Sequence, residues 1–160
     1  MPALSESQAA NVAAQDQYLT FRLGDEEYGV DVLRVQEIRG WAPVTAVPNA
    51  PDWLSGVMNL RGTVVPVVDL RRRFGMPRVE ITRFTVVVVV TVGVRVTGLV
   101  VDAVSDVLDV PRSEVVPPPD LGPQVEATFL TGLAKSNGRI VSILSVEPIV
   151  GALAGSDFAV

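Results

Sequence analysis

The chain has 160 residues, 48% hydrophobic and 19% charged, which suits one domain, or two very small ones sharing a core, and excludes global disorder. Thirteen basic residues stand against eighteen acidic ones, and a net charge of −5 argues against a partner held through a phosphate backbone. Cysteine and histidine are both absent, which removes disulfides, thiolate and imidazole metal ligands, a cysteine nucleophile and a Ser-His-Asp triad.

Valine occupies 32 of the 160 positions. It loses rotamer freedom in a helix and packs well on a pleated surface, so the expected fold is mostly β. Residues 1–16 carry no basic start and no apolar run; they read as a polar tail, not a secretory signal. Residues 18–23 alternate with period two, Gly24-Asp25-Glu26 turns the chain, and residues 27–30 return as the partner strand. Asp31 is placed to cap a short helix over 32–38, with Val32, Val35 and Ile38 on one side. Pro43, Pro48 and Pro51 make 43–52 an extended connection. Strands follow at 56–60 and 63–68, joined at Arg61-Gly62, and Asp69 caps a single turn over 70–74 that Gly75 and Pro77 end.

In the second half, residues 84–92 read as a strand buried on both faces. The run is far shorter than the roughly 20 residues a membrane-spanning helix needs, so no membrane insertion is expected. Gly93 turns the chain and 94–101 runs back. Residues 103–108 fit a short helix or a strand, since the period does not separate them. Residues 117–126 form a proline-stiffened loop, 129–134 and 139–144 a hairpin around Ser136-Asn137-Gly138, and 147–153 a closing helix.

The halves repeat. A shift of 69 carries Leu23-Gly24 onto Val92-Gly93, Gly29 onto Gly98, Val35 onto Val104, Glu37 onto Asp106 and Ile38 onto Val107. A shift of 76 carries Gly56 onto Gly132, Gly62 onto Gly138 and Val67-Val68 onto Ile143-Leu144. Each half is then two hairpins about a short helix-like turn. Five short strands with glycines at the corners suggest a small closed barrel, and two such barrels would pack their apolar faces on a shared core. A single β-sandwich is the alternative.

Few residues invite chemistry. Asp69 and Asp102 each follow a valine-rich strand and would suit a carboxylate pair in a hydrolase, but end-capping explains them as well. Asp25-Glu26-Glu27 reads as a solvated hairpin tip, and Arg71-Arg72-Arg73 as one exposed face of a helix turn. The most informative segment is 56–62, where Asn59 and Arg61 are the polar residues at a glycine-flanked tip. Arg61 there is suited to bidentate contact with a partner; the alternative is that Asn59 closes the turn and Arg61 is merely solvated, and composition does not separate the two. Val35 and Glu37 offer an apolar knob beside a charge; the alternative, which periodicity favours for Val35, places Val35 in the core and Glu37 on a solvated face.

The ordered motifs LGDEEYGVD at 23–31, VQEIRG at 35–40, NLRG at 59–62, PVVDLR at 66–71, GLVVDAVSDVL at 98–108 and TGL at 131–133 resemble the CheW family of chemotaxis coupling proteins, over about 17–153. The resemblance implies two SH3-like barrels, about 17–82 and 83–153, between tails at 1–16 and 154–160. It implies no catalysis and no cofactor. It also implies a cytoplasmic adaptor, recruited to membrane-associated arrays, that bridges the tip of transmembrane chemoreceptors and the CheW-like regulatory domain of the histidine kinase CheA. Val35, Glu37, Gly56, Arg61 and Val107 match positions linked to receptor or kinase binding, and Asn59 and Gly62 complete the tip motif. The receptor groove is expected between the barrels and the kinase contact at barrel ends. An adaptor for another chemosensory system, such as surface motility, is the nearest alternative. The hydrolase using Asp69 and Asp102 is the more distant one.

Overall fold

The computed structural model of the chain describes residues 15–117, 129–136 and 138–150. Strand β1, Gln15–Leu23, pairs with β2, Glu26–Asp31, across a turn in which Gly24 takes a φ of 63°. Gln15 and Asp16 are therefore strand residues and not part of the expected N-terminal tail. The Asp31 carboxylate accepts the Leu33 N–H and caps one 3-10 turn, Val32–Arg34. There the expected helix stops: the chain straightens into β3, Val35–Gly40, which pairs antiparallel with β6, Val86–Val92. Seven residues make a marginal helix, and pairing Val35 with Val90 and Ile38 with Val88 offers β-branched side chains a better surface.

β4, Leu54–Leu60, and β5, Thr63–Asp69, form the expected hairpin, followed by α1, Leu70–Arg73. β6 and β7, Arg95–Val101, form the next, with Val87 to Val90 all buried. The ambiguous segment after Asp102 is a strand, β8, Ala103–Pro111, because it lies along β1. A 3-10 turn at Arg112–Glu114 leads into β9, Val115–Val116. β10, Leu130–Ser136, and β11, Arg139–Leu144, follow, then α2, Val146–Val150. Of the expected proline-stiffened loop, 118–126 lies outside the described residues, as do 151–153 of the closing helix and both outer tails.

The strands form two sheets, ordered β3-β6-β7-β5-β4 and β8-β1-β2-β11-β10-β9. Neither sheet follows the expected division near residue 82. Each half keeps its second hairpin in one sheet and sends its first hairpin into the other. The parallel contacts β5–β7 and β2–β11 make the joins, with Val67 opposite Gly98 and Ile143 opposite Gly29. Those pairs are equivalent under the repeat shifts, so the exchange is reciprocal. The irregularities repeat too. One extra residue sits on β3 between Val35 and Glu37 and on β8 between Val104 and Val107; another sits on β4 at Ser55 and on β10 at Thr131.

Both sheets are closed across their outer strands. In the five-stranded sheet the chain beyond β3 reaches β4, where Thr45 and Val57 exchange backbone hydrogen bonds of 2.9 and 2.8 Å. Gly56 permits this approach, since a Cβ there would run into the Thr45 carbonyl. In the other sheet β8 continues through the 3-10 turn into β9, which pairs with β10 beside Gly132. The second sheet has six strands only because β9 is a two-residue strand where the first has a single bridge. Each sheet holds its own apolar cluster, one around Val65, Val67, Val87 and Val89, the other around Tyr18, Val110, Val141 and Ile143. The largest cluster draws on both sheets and both helices, with Phe21, Tyr28, Phe74, Leu99, Phe129 and Ile149 among its members. This is the shared core expected from the repeat; the separate cluster inside each closed sheet is what a stack of two plain antiparallel sheets would lack.

Candidate functional site

The β4–β5 hairpin turns on two residues, Arg61 and Gly62, with φ values of 51° and 87°. Two consecutive left-handed residues make the tight turn that matches the twist of a hairpin, and the favoured residue at its first position is Asn, Asp or Gly. Arginine there is strained, because its Cβ crowds the backbone. The Asn59 carboxamide oxygen holds the turn closed by accepting the Gly62 N–H at 2.8 Å. This bears out the turn-closing reading of Asn59.

The strained tip aims the Arg61 guanidinium across the closure of the sheet. It donates to Glu37 Oε1 on β3 at 2.6 Å, although β3 and β4 are opposite outer strands. Arg39 stands 4.0 Å from the other Glu37 oxygen. The hydrogen bond from Arg61 holds the Glu37 carboxyl below the usual carboxylate range and raises the guanidinium in turn. The pair is open to solvent, and exposed aliphatic residues neighbour it along the strands, Ile38 on β3 and Val64 on β5. Glu37, Asn59, Arg61 and Gly62 thus come together at one end of the five-stranded sheet. Val35 begins β3 and packs against the shared core, and Gly56 sits at the strand closure. Val107 is exposed on β8, in the other sheet; under the repeat it is the counterpart of Ile38.

The equivalent end of the six-stranded sheet is built differently. Asp106, the counterpart of Glu37, accepts from the Thr20 hydroxyl at 2.5 Å and from Arg139 at 3.1 and 3.2 Å. Arg139 also forms a two-pronged ion pair with Glu27. Hydrogen bonds from Arg139 and Thr20 lower the Asp106 carboxyl. Glu27 is therefore tied into a network and is not part of a solvated tip. Sequence reading missed Arg139, whose partners lie 33 and 112 positions away. The signal was available in the repeat, because Asp106 matches Glu37 and calls for a cation near the second hairpin tip.

The remaining candidates hold the fold together. Asp69 accepts N–H groups from Arg71 and Arg72 and caps α1. Asp102 receives Arg71 through both oxygens, at 2.8 and 2.5 Å, and the Gly24 N–H at 2.8 Å. Burial pushes the Asp102 carboxyl up, and these hydrogen bonds outweigh it and leave it below its ordinary value. Both carboxylates are taken up by structural partners, which leaves the hydrolase reading no acid–base pair at these positions. Nor are Arg71, Arg72 and Arg73 one solvated face. Arg72 pairs with Asp52, while Arg73 lies between the Trp53 and Phe129 rings and donates to the Ile149 and Pro148 carbonyls of α2. Among the described residues no cluster of side chains suits a metal ion, and no helix is long and apolar enough to cross a membrane.

The comparisons with known proteins agree with this architecture. Residues 17–154 match the CheW-like domain family. Chemotaxis protein CheW of Klebsiella aerogenes is 42% identical over 144 residues, covering 90% of this chain and 87% of that one. Protein FrzA of Myxococcus xanthus is 32% identical, covering 82% and 81%. The crystal structure of the scaffolding protein TtCheW from Thermoanaerobacter tengcongensis superposes with a TM-score of 0.79 at 29% identity, over 84% of this chain and 86% of that one. With the family matched over nearly its whole length and the paired, closed sheets in place, the chain belongs to the CheW-like domain family.

Proposed function

We propose that this chain is a non-catalytic adaptor that couples transmembrane chemoreceptors to the histidine kinase CheA within a signalling array. The observation that carries the reading is Arg61, a solvent-exposed cation fixed at a strained tip by Glu37 and framed by exposed aliphatic residues. Strain of this kind persists where a surface residue is needed in one place. An arginine beside apolar surface is also the composition of an interface anchor. Val35, Glu37, Gly56, Asn59, Arg61 and Gly62 then form or support one contact surface. Val107, on the other sheet, belongs to a second surface in the equivalent position.

Two related surfaces on one small protein suit assembly by repetition. Contacts below roughly 1,200 Å² are individually weak. Joined in a lattice they gain roughly 10²–10⁴ in avidity without any new contact. The test is a pull-down with purified CheA and a receptor cytoplasmic fragment. Arg61→Ala is expected to lose one of the two partners while its circular dichroism spectrum stays unchanged; undiminished capture of both would defeat the assignment.

The similarity to FrzA, which carries a different name, favours one second reading: an adaptor for another chemosensory system. Exchange of the receptor fragment for one from such a system, with CheA binding retained, would select it.

A further inference from the structure

The connection between the two halves carries a surface that the reading above does not use. Residues 77–84 are all exposed, and among them Val79, Ile81 and Phe84 leave 52%, 49% and 59% of their surface open. The chain is acidic overall, yet residues 71–84 hold five of its thirteen basic residues and a single acid, Glu80. Arg71 and Arg72 are neutralised by Asp102 and Asp52. Arg78 and Arg83 enter no ion pair among the described residues. Arg78 donates only to the Asp52 carbonyl, at 2.8 Å, and Arg83 lies over the Phe84 ring at 4.9 Å.

The tip of this segment is fixed. Thr85 Oγ1 accepts the Thr82 N–H at 2.9 Å, and Thr82 Oγ1 accepts the Phe84 N–H at 3.1 Å. The Thr85 N–H donates back to the Thr82 carbonyl at 3.2 Å. Arg83 and Phe84 are thereby presented on a closed turn, and a group already ordered loses less entropy on binding. A guanidinium resting on a ring keeps its in-plane N–H groups free for a carboxylate.

Resting on the adaptor reading, we infer that residues 78–84 are a further docking surface, and that its occupant is an acidic segment of one of the chain's array partners with an apolar anchor beside its carboxylates. Arg78 and Arg83 receive the carboxylates, and Phe84, flanked by Val79 and Ile81, receives the anchor. The charge balance calls for an acidic partner. Two arginines outside ion pairs are fewer than the roughly four to eight clustered basic residues that mark an anionic-lipid surface, which favours a protein over a membrane.

The test compares wild type, Arg78→Glu/Arg83→Glu and Phe84→Ala in titrations with two probes: a receptor cytoplasmic fragment and the CheA regulatory domain. All three proteins are checked first for the same thermal midpoint. The double charge reversal is expected to weaken one probe by about tenfold at low salt, with the gap closing near 0.5 M salt as screening removes the charge contribution. Phe84→Ala is expected to weaken the same probe by about fivefold, independently of salt. Affinities within twofold of wild type for both variants and both probes would overturn the inference while leaving the adaptor reading intact. A wild type that binds neither probe would end both. Binding of wild type but not the variants to phosphatidylglycerol vesicles would assign the surface to a membrane and overturn the protein assignment.

Discussion

The two ends marked by Glu37 and Asp106 occupy the same place in the repeat and solve it differently. Each acid lies at the one-residue irregularity of its strand, β3 or β8, and each faces an arginine from the hairpin of its own half. In the first half the arginine is Arg61, at the hairpin tip. In the second it is Arg139, two positions further on under the repeat shift, in a regular strand. That small displacement changes everything around the cation. Arg61 takes a left-handed backbone and finds one carboxylate in solvent. Arg139 keeps an extended backbone and binds Glu27 and Asp106 together, with Thr20 completing the network. The tip it vacates carries Asn137-Gly138 in the sequence, the residue pair that such a turn prefers. One end has been optimised for stability. The other keeps strain and an open charge, which is what a binding surface looks like.

Breaking the stable end should have the largest effect. Arg139→Ala leaves the Glu27 and Asp106 carboxylates side by side without their shared cation, and is expected to destabilise the fold by about 2 kcal/mol. In a urea titration this would appear as a lower midpoint with an unchanged slope. A loss as small as that of an ordinary surface substitution would show that the network is ornamental.

The same network predicts a pH signature. The folded Asp106 carboxyl lies below its unfolded value of about 3.9, so its contribution is complete above that pH and is lost as pH falls through the lower folded value. Wild type is therefore expected to lose stability between about pH 4 and pH 2 more steeply than Arg139→Ala. Parallel acid limbs would contradict the assignment.

At the strained end the sign reverses. Arg61→Asn relieves the left-handed backbone and should raise the thermal midpoint by roughly 1–3 °C while weakening partner binding. A lower midpoint would mean that Arg61 serves the fold and not a partner. Smallest of all, Glu37→Gln should leave the thermal midpoint nearly unchanged, since the pair is exposed and screened. A marked drop would place Glu37 with Asp106 as a structural acid.

Much of this was legible in the residues. The glycine pairs Gly29/Gly98 and Gly56/Gly132 fixed the repeat, and the structure crowds all four, Gly56 and Gly132 against a neighbouring backbone and Gly29 and Gly98 against packed side chains. Alternation and turn residues located most strands. The helix expected over 32–38 failed because seven residues with three β-branched positions do not distinguish the periods, and β6 decides the matter from about 50 positions away. The exchange of first hairpins was invisible because Gly29 and Gly98 would be buried either way; the pairings of Ile143 with Gly29 and of Val67 with Gly98 reveal it. Arg71 to Arg73 misled for a similar reason. Three adjacent cations look solvated until Asp102, Asp52 and the rings of Trp53 and Phe129 arrive from elsewhere in the chain. Of the candidate site, the tip motif carried Asn59, Arg61 and Gly62, while the ion pair to Glu37 needed the closure of the sheet.

The most direct measurement is co-sedimentation of this protein with purified CheA and receptor-containing membranes, read together with kinase autophosphorylation. The account predicts that wild type enters the pellet only when receptor is present and raises autophosphorylation, and that Arg61→Ala, having lost one of the two partners, fails to raise autophosphorylation while remaining folded. Wild type left in the supernatant, or an Arg61→Ala variant that supports the kinase as well as wild type, would contradict it.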